Sequence, residues 1–235
     1  FMNFNAVVTG ASKGIGFSVA KRLAEAGFSL FIVGRDNVRL LDAKSQLLLA
    51  GAPEVLTFAG DLSQSDVAKR CTAKICETWS SLTVLVNNAG VFLPGTMMGE
   101  EEGQFETLMT TNMNSAYHIT KGLWPLLKLS HRSHVFNMCS IASITAYAAG
   151  GSYSVSKFAM LGFSKSLRLE GIPHDIRVTA ILPGATLTDS WAGVDLPSTR
   201  FIKPEDVANA LYSAFLINEN TVMEEVLLRP ILGDI

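Results

Sequence analysis

The chain has 235 residues, of which 48% are hydrophobic and 17% charged, and its formal net charge is −2. That length supports one α/β core of ordinary size, and the near-neutral charge argues against nucleic acid as a main partner. No apolar run approaches the ~20 residues of a membrane helix, and the first residues form no cationic, signal-like run, so a cytoplasmic protein without membrane contact is expected.

Residues 4–9 read as a short apolar strand. A glycine loop follows, Gly10-Ala11-Ser12-Lys13-Gly14-Ile15-Gly16, and then a helical pattern (Val19, Ala20, Leu23, Ala24) that runs to Gly27. Strand, glycine loop, helix is the context a phosphate-binding loop requires. Gly10 permits the tight turn, Gly14 lets backbone N–H groups approach a pyrophosphate, and Gly16 permits close packing. Residues 29–33 form a second strand, buried on both faces by its lack of alternation, and it ends in Gly34-Arg35-Asp36. A site for NAD usually places an acid at this strand end. Arg35 stands there instead, with Lys13 in the loop, and two cations suit a ribose 2′-phosphate. NADP(H) is the predicted cofactor. Asp36 is read as the cap of the next helix.

That helix covers about 37–50. Strand three covers 54–59 and ends at Asp61-Leu62. A helix follows over about 64–79, then strand four over 82–86, ending in Asn87-Asn88-Ala89-Gly90. A long helix is expected from about 101 to 129, bent near Trp124-Pro125. Strand five, 134–139, delivers Ser140. A helix opened by Tyr153 runs to about 170, strand six covers 176–182, and Pro183-Gly184 follow. Pro204 starts another helix, and 222–228 is a last strand. Strands alternating with helices predict one doubly wound parallel sheet of about seven strands, with helices on both faces, in a single domain over 1–235. The three cysteines (Cys71, Cys76, Cys139) form no Cys-x-x-Cys pair and are expected to be reduced. The four histidines lack metal-ligand spacing, so no metal is expected.

Tyr153 and Lys157 share a helix face at i, i+4. A free tyrosine titrates at about 10, and a cation one turn away lowers that value, which would tune Tyr153 as a general acid or base. Ser140 offers a hydroxyl to the same substrate oxygen.

Together, Thr9-Gly-Ala-Ser-Lys-Gly-Ile-Gly16, Asp61-Leu62, Asn87-Asn-Ala-Gly90, Asn112, Ser140, Tyr153-Ser-Val-Ser-Lys157 and Pro183-Gly-Ala-Thr-Leu-Thr188 resemble the short-chain dehydrogenase/reductase family over essentially the whole chain. The resemblance implies a Rossmann-type fold and a catalytic tetrad of Asn112, Ser140, Tyr153 and Lys157, with Asn112 holding a water that links Lys157 to solvent. It implies cofactor contacts from the loop residues Gly10, Ser12, Lys13, Gly14, Ile15 and Gly16, and from Arg35. Asp61 and Leu62 would meet the adenine, and Asn87, Asn88, Ala89 and Gly90 would line the cleft. Lys157 would also hold the nicotinamide ribose, Thr188 the carboxamide, and Pro183, Gly184 and Thr186 would lie alongside.

The chain's ending, with Asp189-Ser-Trp191 and Lys203-Pro-Glu-Asp-Val207, resembles bacterial sepiapterin reductases and related small carbonyl reductases. The segment 187–203 is the expected substrate lid. Within it Trp191 either stacks on a flat substrate ring or packs the lid, and Asp189 would pair with a pterin's amino-pyrimidine edge. The expected partner is a small carbonyl or alcohol substrate, and the chain is expected to form a homodimer or homotetramer through the helices at 101–129 and 153–170. A 3-oxoacyl thioester reductase and a cofactor-sensing protein without chemistry are the alternatives.

Overall fold

The structure is a computed structural model and describes residues 4–191 and 193–235. Its seven strands are β1 (Asn5–Thr9), β2 (Ser29–Gly34), β3 (Val55–Ala59), β4 (Val84–Asn87), β5 (His134–Met138), β6 (Arg177–Pro183) and β7 (Glu225–Leu228). They form one parallel sheet in the order β3-β2-β1-β4-β5-β6-β7. Side chains alternate across it. Ala6, Val8, Leu30 and Ile32 point into one apolar layer, and Val7, Phe31 and Val33 into the other. With both faces covered, alternating orientation leaves no polar face, so the strands read as continuous apolar runs.

α1 (Gly14–Glu25), α2 (Asn37–Leu49) and α7 (Pro204–Leu216) supply the first layer. Phe4, Phe28 and Phe215 close it as a triangle of rings 5.3–5.6 Å apart. α3 (Ser65–Thr78), α5 (Ser115–Leu127) and α6 (Gly151–Gly171) supply the second, around Phe31, Ile75, Leu85 and Leu123. Asp36 caps α2, accepting N–H bonds from Val38 and Arg39 at 2.9 and 3.2 Å, as expected from the sequence. Cys71, Cys76 and Cys139 are free thiols.

The long helix departs from expectation. It is α4 (Gln104–Met109), a π-helical segment (Thr110–Asn114) and then α5. The π-helical segment is centred on Asn112. Pro125 sits in the last turn of α5, where it removes the one bond its own N–H would make, and Lys128 N–H still closes on the Trp124 carbonyl at 3.2 Å. A π-turn widens the backbone ring and recurs at functional sites.

Candidate active site

Strand order reverses between β1 and β4, so a crevice opens at their carboxyl ends. The glycine loop leaves β1 into this crevice. Gly10 and Gly14 adopt positive φ angles of +64° and +59°, the left-handed region that glycine enters without steric cost. Gly16 serves closeness instead: a Cβ there would lie 2.3 Å from both the Asn88 amide nitrogen and the Gly10 carbonyl oxygen. Asn88 braces the turn by donating to the Thr9 and Gly10 carbonyls at 2.9 and 3.1 Å. Thr9 Oγ1 returns the bond, accepting from the N–H groups of Asn88 and Ala89 at 2.9 and 3.0 Å. Both amide hydrogens of Asn88 are therefore spent on the turn. Thr9 was not among the expected site residues, although it stands in the quoted motif.

The loop fits a dinucleotide phosphate. α1 begins at Gly14 with no side-chain cap and no acidic residue in its first turn, so its leading N–H groups and positive dipole end are left for an anion. Gly16→Ala is accordingly expected to strain the turn by about 1–3 kcal/mol and to weaken NADPH binding roughly five- to 150-fold. Fluorescence titration and thermal unfolding read the two effects. Gly27→Ala, with nothing within 4 Å of its new methyl, should leave the affinity unchanged.

At the end of β2, Arg35 is exposed. Arg39, one turn further on, pairs with Asp36 at 3.4 Å and was missed from the sequence, though its spacing from Arg35 was visible. Asp36 is committed to the α2 cap and to Arg39. Asp61 accepts the Ser63 N–H at 3.0 Å. Leu62 is 5% exposed, and its side chain packs in the second core layer. Asn87 is buried as well. It is 2% exposed and donates to Thr120 Oγ1 and Asn137 Oδ1, both at 2.8 Å, inside the sheet–helix layer. Gly90 is exposed, and a Cβ on it would lie 3.1 Å from Asn112 Oδ1.

β5 delivers Ser140, and α6 carries Tyr153 and Lys157 on one face. Ser140 Oγ accepts the Ala142 N–H at 3.1 Å, and its own N–H donates to Ser143 Oγ. Lys157 is buried and donates to the Met138 carbonyl at 2.9 Å, which anchors α6 to the end of β5. Its ammonium lies 5.7 Å from the centre of the Tyr153 ring, and Phe92 meets that ring edge-on at 4.8 Å.

The expected lowering of the tyrosine's pKa is overturned. Burial pushes the Tyr153 phenol up to about 12, against a smaller opposite effect of the Ser140 hydroxyl, and burial also lowers Lys157. The desolvation penalty on the phenolate outweighs an ammonium that is itself desolvated and directed at a carbonyl. Asn112 lies behind this pair. It is 1% exposed, and its amide nitrogen donates to the Val91 carbonyl and to Ser156 Oγ, both at 3.0 Å. Its oxygen accepts the Val91 N–H at 2.8 Å. Both side-chain donors are used, so Asn112 ties the π-segment to the β4 loop and to α6 through its amide group.

The expected lid starts at the end of β6. Pro183, the last residue of β6, is buried, and Gly184 N–H donates to the Leu228 carbonyl at 2.8 Å, so both continue the pairing of β6 with β7. Thr186 is 4% exposed and bonds back to the Gly184 carbonyl at 3.0 Å. Thr188 lies across the loop, its Cγ2 3.4 Å from where a Cβ on Gly14 would stand. Asp189 pairs with Lys13 at 2.5 Å, so its carboxylate meets the glycine loop where a substrate contact was expected. Trp191 packs edge-on against Phe201 at 5.2 Å, the lid-packing alternative of the two readings. Ala192, within this segment, lies outside the described residues.

The sequence model described as short chain dehydrogenase matches residues 5–197. The chain is 31% identical to sepiapterin reductase of Chlorobaculum tepidum, with 97% of each chain covered. It is 30% identical to a 3-oxoacyl-[acyl-carrier-protein] reductase of Chlamydia trachomatis, covering 89% of this chain and 88% of that one. Among solved structures it is similar to an alcohol dehydrogenase from the archaeon Thermococcus sibiricus complexed with 5-hydroxy-NADP, at 25% identity and a TM-score of 0.92, over 99% of this chain and 98% of that one. A doubly wound sheet, a braced glycine turn at its switch point and a family match over most of the length agree: this chain belongs to the short-chain dehydrogenase/reductase family of oxidoreductases.

Proposed function

We propose that the chain reduces a carbonyl of a small substrate, sepiapterin-like or diketone-like, to an alcohol with NADP(H), Tyr153 acting as general acid. The observation that carries this reading is the Lys157 ammonium, bound to the Met138 carbonyl at the end of β5 and 5.7 Å from the centre of the Tyr153 ring, beside the strand end that delivers Ser140. The cofactor supplies the hydride. Ser140 and Tyr153 donate hydrogen bonds to the carbonyl oxygen as charge develops on it, and Tyr153 gives up its proton to that oxygen. Lys157, fixed on the Met138 carbonyl, holds the ribose and helps replace the proton. Lys13, Arg35 and Arg39 are exposed cations near the end of β2 and the glycine loop, and they support a 2′-phosphate. The commitment of Asp36 to capping supports the same choice over NAD(H).

A thioester β-ketone is the second reading, favoured by the likeness to the chlamydial reductase. A cofactor-sensing role without chemistry has no use for the serine, tyrosine and lysine together. NADPH oxidation screened in parallel with sepiapterin, diacetyl, isatin and an acetoacetyl thioester separates all three. Turnover with the first three supports the proposal, turnover with the thioester alone supports the second reading, and cofactor binding without turnover rejects both.

We also infer a homodimer or homotetramer through the helical face of α4, α5 and α6. Phe105, Tyr117, Val155 and Phe158 are exposed on these helices, and large apolar side chains left in water favour a protein contact where they form one patch. Light scattering should give at least a dimer, and a monomer would contradict this.

A further inference from the structure

The loop between β4 and α4 carries a carboxylate that the proton relay does not use. Glu100 accepts the Ser152 N–H at 2.7 Å on Oε1, and the Ser152 hydroxyl on Oε2. Ser152 stands in the first turn of α6, immediately before Tyr153. α6 opens on Gly150, which offers no side-chain cap, and the first N–H groups of a helix have no partner within it. An anionic acceptor there satisfies one of them and sits at the positive end of the helix dipole.

The surrounding chain is shaped to this contact. Gly151 has a positive φ of +36°, and a Cβ on it would lie 2.1 Å from Glu100 Oε1 and 2.6 Å from the Gly95 carbonyl. Gly95 N–H in turn donates to the Ala149 carbonyl at 3.1 Å. The same loop provides Phe92, whose ring meets that of Tyr153 at 4.8 Å, and Val91, which bonds Asn112 through both its N–H and its carbonyl. The loop therefore grips the tyrosine twice, at its ring and at the residue before it.

We propose that Glu100 is a positioning residue for Tyr153: its carboxylate, through Ser152, locks the first turn of α6 onto the β4–α4 loop and so holds the phenol at the reacting oxygen. The proposal rests on the reading of Tyr153 as the acid. Glu100 acts on the orientation of the phenol and not on cofactor binding, which sets the pattern of effects it should show.

The test uses the full chain with a carbonyl substrate that the screen finds active. Glu100→Ala should lower kcat about ten- to hundredfold while NADPH affinity stays within about twofold. Added formate, a carboxylate small enough to occupy the vacated place, should restore part of kcat in Glu100→Ala but none in Tyr153→Phe. Wild-type kcat in Glu100→Ala, or a loss that formate leaves unrepaired, would overturn the proposal. Should Glu100→Ala fail to fold, Glu100→Gln keeps the shape without the charge. Since charge-assisted bonds are about twice as strong as neutral ones, it should lose roughly three- to tenfold in kcat, and full activity would overturn the proposal. An inactive wild type, or an active Tyr153→Phe, would instead reject the reading of Tyr153 beneath it.

Discussion

Tyr153→Phe is expected to lower kcat for carbonyl reduction by about 10²- to 10⁴-fold, or roughly 3–5 kcal/mol of transition-state stabilisation. The change removes one oxygen and little volume. Phe92 still has a ring to meet edge-on, and Lys157 keeps its bond to the Met138 carbonyl. NADPH affinity should therefore stay close to wild type, and the loss should appear in kcat. The direction of the tyrosine's shift adds a pH signature. With its pKa raised to about 12, the phenol keeps its proton throughout the neutral range. Reduction, which needs the protonated form, should be flat in pH up to roughly 10 and fall only as the pH nears the raised value. Oxidation of the alcohol needs the phenolate and should climb with pH across the same range. A tyrosine acidified by its lysine would instead make reduction fall just above neutrality.

Arg35→Asp is the second large effect. Losing a charge-assisted contact to the 2′-phosphate costs about 1.5–3 kcal/mol, roughly ten- to 150-fold in NADPH affinity, and the new carboxylate adds repulsion. An acid at this strand end also suits the free ribose hydroxyls of NADH. The ratio of kcat/KM for NADPH over NADH should therefore invert. Arg35 is exposed, so the fold should tolerate the change, and equal thermal unfolding would confirm that the shift is one of binding. An unchanged preference would mean that Lys13 and Arg39 hold the phosphate without Arg35.

What was legible in the sequence was local. Gly10, Gly14 and Gly16 announced a turn because positive φ and close approach are properties of single residues. Tyr153 and Lys157 announced a shared face because helix geometry repeats. The uninterrupted apolar strands announced a sheet covered on both sides. What was not legible depends on distant partners. Glu100 meets Ser152 across 52 positions, and Lys13 meets Asp189 across 176. Neither pair forms a pattern along the chain. Asn112 stood out only by its place in a motif, and its side-chain bonds to Val91 and Ser156 could not be read from the chain. The tyrosine's shift was misjudged for the same reason: spacing gave the nearby cation, whereas burial, which decides the direction, belongs to the assembled fold.

The most direct measurement follows the hydride with and without the phenol. The protein is mixed with a reactive small diketone and with NADPH deuterated at the transferring position of the nicotinamide, and the alcohol is analysed by mass spectrometry. Wild type should place deuterium on the carbinol carbon at every turnover, and Tyr153→Phe should bind the same cofactor and yield almost no labelled alcohol. Equal labelled product from the two proteins would contradict a proton delivered by Tyr153, and bound cofactor with no labelled product from wild type would contradict carbonyl reduction altogether.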